Sequence, residues 1–223
     1  MSDLQIEVLV LNKSEIEHLV SYQDVAEAVE AAFRAYGMGE TIQPQKEPLF
    51  TDGSKHQNLL ISMPAFIKSM DVVGVKWASV YENQKPGFPT VGAAVILNDT
   101  GTGLPIAFLD GLSITNMRTG GHSAVAAKYL AKKDSSRVVL IGCGAEARTH
   151  LSALNEVFSL QTVKIYDIRP EAMTTFKQEM SRRFSADIIP VNSVQEAAEG
   201  ADIICMLTTA TKPIMLEPWV PAG

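Results

Sequence analysis

The segment Val138-Val139-Leu140-Ile141-Gly142-Cys143-Gly144-Ala145-Glu146-Ala147 joins an apolar run to a G-x-G-x-x-A turn and then to a helix-forming stretch. Gly142 permits a tight turn, Gly144 lets the backbone approach a diphosphate, and Ala147 keeps helix and strand close. The start of the helix then offers unpaired N–H groups and the positive end of its dipole to an anion. A second apolar run, Val163 to Tyr166, ends at Asp167, where a carboxylate would accept hydrogen bonds from the hydroxyls of an adenosine ribose. The spacing therefore predicts a nicotinamide dinucleotide site. Asp167 favours NAD, and Arg169, two residues on, is able to face a 2′-phosphate, which keeps NADP open. The competing reading is a glycine turn and a capping acid without ligand, which the order of strand, turn, helix, strand and acid disfavours.

Two cations call for a partner. Lys76 lies inside the apolar run Val72-Val73-Gly74-Val75-Lys76-Trp77-Ala78, where an unpaired ammonium is costly to bury, so an anion is implied unless strand alternation turns the side chain to solvent. Arg118 lies in Thr115-Asn116-Met117-Arg118-Thr119-Gly120-Gly121, near the start of a helix of small and apolar residues. Bidentate binding of a carboxylate or phosphate would suit it there, although most helical arginines are surface residues.

The elements that position these groups follow from the pattern. Ile6 to Leu11 reads as a strand, and Ser14 with Glu17 has capping-box spacing for a helix. A second N-cap at Ser21 opens an amphipathic helix with Val25, Val29, Ala32, Phe33 and Tyr36 on its apolar face, stopped by Gly37 and Gly39. From Pro44 to Asp110, short β-branched and aromatic runs broken by Asn83, Gly87, Pro89 and the Asn98-Asp99-Thr100-Gly101 turn predict a mainly antiparallel sheet. A helix is expected from Ser113 through Leu130. Strand and helix then alternate: strands at Val138–Ile141, Val163–Tyr166, Ile188–Val191 and Ile203–Leu207, and helices at Ala145–Phe158, Pro170–Arg183 and Val194–Glu199. That alternation predicts a parallel sheet with right-handed crossovers.

Composition narrows the classes of function. The 223 residues are long enough for a sizeable core, and a net charge of −6 offers no broad basic field for nucleic acid or anionic lipid. Two cysteines, Cys143 and Cys205, both within or beside apolar runs, point to a reducing, cytoplasmic setting rather than a disulfide framework. Neither a signal peptide nor a membrane anchor is read, and no metal-ligand spacing is present.

Met63-Pro64-Ala65, Gly74-Val75-Lys76-Trp77, Pro89-Thr90-Val91, the turn from Leu97-Asn98-Asp99 to Gly103-Leu104-Pro105, Ile114-Thr115-Asn116-Met117-Arg118-Thr119-Gly120 and Ala126-Ala127-Lys128-Tyr129-Leu130 occur in that order. Together with the glycine turn and Tyr166-Asp167 they resemble the ornithine cyclodeaminase and mu-crystallin family over essentially the whole chain, and are most similar to its archaeal-type alanine dehydrogenase branch. The resemblance implies an α/β protein, usually a homodimer. Residues 1–115 would form an α+β substrate-binding and dimerisation domain, 116–134 a connecting helix, and 135–223 a Rossmann NAD(P)-binding domain, with the substrate between the two domains. By position, Lys76 matches the lysine that meets the substrate carboxylate and donates or accepts a proton. Lys46, Met63 and Arg118 match further substrate positions. Thr90, Arg118, Thr119, Gly142, Gly144, Ala145, Glu146, Asp167, Arg169 and Thr208 match cofactor positions.

Two departures bear on function. Family cyclodeaminases carry a glutamate two residues before Met-Pro, where Ile61 stands here, and the arginine of the alanine dehydrogenase branch is not supplied by Leu60, Ile61 or Ser62. The end, Pro218-Trp219-Val220-Pro221-Ala222-Gly223, matches the stretch just before the family's catalytic aspartate. The sequence therefore reads as truncated, with exposed apolar edges and incomplete activity expected. Three functions compete: an oxidoreductase acting on the C–N bond of a small 2-amino acid or cyclic imine, an ornithine cyclodeaminase using NAD catalytically, and a nonenzymatic crystallin-like binder of cofactor.

Overall fold

The computed structural model describes residues 7–51, 58–81 and 88–221. Ile6, Asn83, Gly87 and the Ala222-Gly223 end, each used in the sequence reading, lie outside them. The chain divides into two compact units, one of Met1–Ser21 with Glu30–Thr115 and one of Tyr22–Val29 with Asn116–Gly223.

The first unit is built on a sheet of strands β1 (Leu9–Leu11), β2 (Thr41–Ile42), β3 (Pro48–Phe50), β4 (Asn58–Ile67), β5 (Val72–Tyr81), β6 (Val91–Asn98) and β7 (Pro105–Asp110). Their order is β1-β7-β6-β5-β4-β2, with β3 also on β4. Pairing is antiparallel from β7 through β4, as the short alternating runs predict, but β1 joins β7 in parallel. Asp99 builds the turn between β6 and β7. Its carboxylate accepts from the Thr102 amide at 2.7 Å and hydroxyl at 2.6 Å, and Gly103 takes φ 75°.

Helix α1 (Lys13–Leu19) begins earlier than the Ser14–Glu17 spacing predicts. Asn12 is the N-cap and completes a capping box with Glu15, which starts the helix two residues earlier. Helix α2 (Tyr22–Gly37) starts directly after Ser21, as expected. Its covered side differs from prediction: Val25, Val29 and Ala35 are buried, whereas Phe33 and Tyr36 are 48% and 65% exposed. Helix α3 (Gly111–Leu130) starts two residues before Ser113. The Asp110 carboxylate accepts from the Ser113 amide and hydroxyl at 2.8 and 2.6 Å and holds its first turn.

The second unit carries β8 (Arg137–Ile141), α4 (Ala145–Asn155), β9 (Thr162–Tyr166), α5 (Pro170–Met180), β10 (Asp187–Pro190), α6 (Val194–Ala198) and β11 (Ile203–Met206). All four strands are parallel in the order β10-β9-β8-β11. This is a Rossmann-type sheet whose order reverses between β8 and β11, so the fold is α/β with an α+β first unit. Helices α4 and α5 end three residues sooner than predicted, at Asn155 and Met180.

Side chains alternate into cores on both faces of this sheet. Val138, Leu140, Leu151, Val163, Ile165 and Phe176 fill one, and Val139, Ile141, Val191 and Ala197 the other. Burial on both sides is why the strands read as unbroken apolar runs. Two consecutive glycines bring helices onto α3. A Cβ on Gly120 would fall 2.5 Å from the Thr149 carbonyl oxygen of α4, and one on Gly121 would fall 2.9 Å from Val25 of α2.

Candidate functional site

The loop after β8 sits at the carboxyl ends of three strands. The Gly142 amide donates to the Tyr166 carbonyl at 2.7 Å, and the Leu207 amide donates to Ile141 at 2.7 Å. Gly142 adopts φ 103°, and a Cβ there would lie 2.5 Å from the Leu207 carbonyl oxygen, so both conformation and space demand glycine. Gly144 serves differently. It is the N-cap of α4 at φ −80° with no side-chain cap, and a Cβ there would meet nothing within 4 Å. The result is an open cradle in front of helix N–H groups that no side chain caps, which fits the close backbone approach a diphosphate requires.

Asp167 closes the loop from β9. One carboxylate oxygen accepts from the Cys143 amide at 2.9 Å and the other from the Arg169 amide at 3.0 Å, with Arg169 Nε at 3.5 Å. Burial works against its charge, but these hydrogen bonds and the Arg169 cation outweigh it and hold the carboxyl below its ordinary value. Burial and the nearby Asp167 charge push the Cys143 thiol up to about 12, so the cysteine between the glycines is an unreactive thiol. Cys205, buried in β11, is raised to about 11 by desolvation.

On α3, the half-buried Arg118 is pulled below its ordinary range by burial and restored in part by the charge of Glu146. It makes no hydrogen bond among the described residues, so its guanidinium donors are available to an anion. Glu146, in the first turn of α4, is pushed up by burial and pulled back by Arg118 and a Thr149 hydrogen bond. Its Oε2 is buried without a hydrogen-bond partner. His150 Nδ1 lies 3.7 Å from that oxygen. Thr119 follows Arg118 on α3, Ala145 is the exposed first residue of α4, and the exposed Thr208 lies just beyond β11, its methyl 3.2 Å from where a Gly142 Cβ would be. The second unit thus brings Gly142, Gly144, Ala145, Asp167, Arg169 and Thr208 to one loop and sets Arg118 near Glu146, while Thr119 belongs to the same unit.

Lys76 belongs to the first unit. It is half-buried on the same sheet face as the buried Ala78, while Trp77 on the other face is 45% exposed. Strand alternation therefore turns Lys76 inward, and its Nζ donates to Thr115 Oγ1 at 3.1 Å. Met63 of β4 is its direct cross-strand neighbour, and Ile61 pairs with Ala78 on the same face. Lys46 and Thr90 stand exposed in loops outside these strands, with Thr90 accepting from the Tyr81 amide at 2.9 Å. Among the described residues no group of three His, Cys, Asp or Glu is placed to hold a metal ion.

Sequence reasoning missed two residues. Thr115 lies inside a quoted motif but carried no role until the fold brought it to Lys76. Arg148 donates through Nη1 to the Cys143 and Gly144 carbonyls at 3.0 and 2.9 Å. Its spacing of one helical turn from Gly144 was the available signal, because long side chains on a helix lean toward its N-terminus.

The model of the ornithine cyclodeaminase/mu-crystallin family matches residues 6–223. An alanine dehydrogenase of Archaeoglobus fulgidus is 38% identical over 221 residues, which cover 98% of this chain and 65% of the relative. The solved Thermococcus litoralis Δ1-pyrroline-2-carboxylate reductase in complex with NADH and L-proline superposes with a TM-score of 0.90 at 39% identity, over 96% of this chain and 66% of that one. An archaeal alanine dehydrogenase dimer with bound NAD gives 0.88 at 36% identity, over 96% and 65%. The chain therefore spans about 65% of the length of its archaeal dehydrogenase relative.

Proposed function

Because the chain belongs to the ornithine cyclodeaminase/mu-crystallin family, we propose that it is part of an NAD-dependent oxidoreductase acting on the C–N bond of a small 2-amino acid or cyclic imine. The observation that carries this reading is the Gly142–Gly144 loop, with an open cradle at Gly144 and the Asp167 carboxylate beside it. Gly144, Ala145 and Arg118 would hold the diphosphate, and Asp167, Glu146 and Thr208 would frame the ribose and neighbouring groups. Bound there, a nicotinamide coenzyme supplies the hydride acceptor or donor. Two related proteins are solved with NADH or NAD, and the Asp167 carboxylate favours the unphosphorylated ribose.

Residues 1–115 take the substrate side, 116–134 connect, and 135–223 take the coenzyme. Lys76 binds the substrate carboxylate and moves a proton at the reacting nitrogen or its neighbour, while Thr115 fixes the direction of its ammonium. Lys46 and Met63 complete the carboxylate end. Ile61 gives an apolar wall on the face that carries Lys76, which favours a small aliphatic substrate over a diamino acid and argues against the cyclodeaminase reading. Unpaired buried cysteines fit a cytoplasmic setting. No helix among the described residues is long and apolar enough to cross a membrane.

We also assign a homodimer. Pro64, Val75, Ile96, Phe108 and Val10 align across five strands on one sheet face, with Phe108 47% and Val10 65% exposed. A contiguous apolar face of this kind suits a second copy, and one related dehydrogenase is a dimer.

The full protein is assayed with NAD and L-alanine, with NADH and Δ1-pyrroline-2-carboxylate, and with NAD and L-ornithine. Net NADH change in either of the first two supports the reading. Proline and ammonia from ornithine without net NADH would replace it with the cyclodeaminase. Saturable NADH binding without turnover of any of the three would replace it with a binder.

A further inference from the structure

The contacts of Arg148 are with none of the groups assigned above to substrate, yet they decide how the glycine loop faces. It lies on α4 one turn beyond Gly144, and its side chain runs back to the loop, where a single nitrogen, Nη1, donates to both the Cys143 and the Gly144 carbonyls. The rest of the guanidinium is anchored to α5. Nε and Nη2 meet Glu179 Oε2 at 2.6 and 2.5 Å, and the plane lies over Phe176 with 5.5 Å to the ring centroid. Phe176 is fully buried.

In a trans peptide the C=O and N–H of one plane point in opposite directions. The Cys143 carbonyl shares its plane with the Gly144 amide, and the Gly144 carbonyl with the Ala145 amide. Drawing two successive carbonyls onto one nitrogen therefore turns two successive N–H groups to the other side of the loop. The preceding amide, Cys143, is already committed to Asp167. The donors offered are thus Gly144 and Ala145, the pair at the open cradle. Glu179 pairs with the Arg148 guanidinium on the side away from the two carbonyls, and Arg148→Lys, which keeps the positive charge, separates geometry from attraction.

We infer that Arg148, held by Glu179, is a positioning residue for coenzyme binding: it orients the diphosphate-binding amides of the glycine loop. The inference rests on the dinucleotide reading of this site. A lysine cannot replace it, because one ammonium lacks the fork that reaches both carbonyls and Glu179 together.

The test compares two ligands on the full protein by calorimetry and NMR titration: ADP-ribose, which carries the diphosphate, and adenosine, which keeps base and ribose alone. Arg148→Gln and Arg148→Lys are each expected to weaken ADP-ribose at least tenfold while changing adenosine less than twofold, and Glu179→Gln to show a smaller loss of the same selectivity. Equal affinity for ADP-ribose in the Arg148 variants and the parent overturns the inference, as does an equal loss for both ligands, the mark of a merely structural role. If the Arg148 variants do not fold, Glu179→Gln, at a side chain 49% exposed, decides by the same two criteria. A parent that binds neither ligand overturns the dinucleotide reading itself, and the inference with it.

Discussion

Lys76 shows how a single residue is readied for chemistry. Its ammonium is half-buried in a strand and donates to the Thr115 hydroxyl at 3.1 Å, which aims it along the inward face of the sheet. Lys76→Met is expected to lower kcat by about 10²–10⁴-fold, the usual share of a positioned acid or base, while NADH affinity measured by fluorescence stays within twofold. A matching loss of NADH affinity would move Lys76 to the coenzyme site. The two loop glycines separate conformation from access. Gly142→Ala imposes a left-handed backbone and a clash with Leu207, at an expected cost of about 1–3 kcal/mol in denaturant unfolding. Gly144→Ala, at φ −80° with nothing within 4 Å of its Cβ, should leave the unfolding midpoint unchanged. The added methyl fills the cradle, so it should weaken ADP-ribose. Equal effects of the two alanines on both readouts would contradict this division of labour.

Asp202 ties the starts of two neighbouring strands together. It accepts from the Ser136 and Arg137 amides at 2.9 Å each and from the Arg137 guanidinium at 2.7 Å. The Arg137 hydrogen bond leads, and the carboxyl is held far below its ordinary value of 3.8. An acid depressed in the folded state stabilises above its unfolded pKa, and that stabilisation is lost as pH falls through the folded value. Asp202→Asn should therefore lower stability at pH 7 by about 1.5–3 kcal/mol, nearer the low end because Arg137 is exposed. The deficit should close as pH drops below 3.8, and a deficit constant from pH 7 to pH 2 would contradict the linkage. The strands of this sheet were legible in the sequence because burial on both faces leaves apolar runs such as Val138 to Ile141. The first sheet was less so: β2 and β3 are too short to show alternation, and nothing local announces that β1 lies beside β7. Near residue 12 two capping boxes overlap, Asn12 with Glu15 and Ser14 with Glu17, and the sequence does not rank them. In the site, Gly142, Gly144 and Asp167 were legible because their spacing is local. The partnerships of Lys76 with Thr115 and of Arg148 with Glu179 were not, because each joins residues more than thirty positions apart.

For the whole molecule, the apolar row from Pro64 to Val10 predicts a self-association that charge should abolish. Val10→Glu with Phe108→Arg is expected to convert a dimer to a monomer in analytical ultracentrifugation while leaving the far-ultraviolet circular dichroism unchanged. A parent already monomeric at micromolar concentration would remove the assignment.

Tyr22–Val29 sits in the early sequence yet keeps company with the later half, where Val25 and Val29 lie against Gly121. A single cut beside Thr115 therefore does not yield two self-sufficient pieces. Any chimera that borrows the coenzyme-binding half must bring this eight-residue ledge along, grafted or supplied as a separate peptide, or it will begin with a bare helix flank.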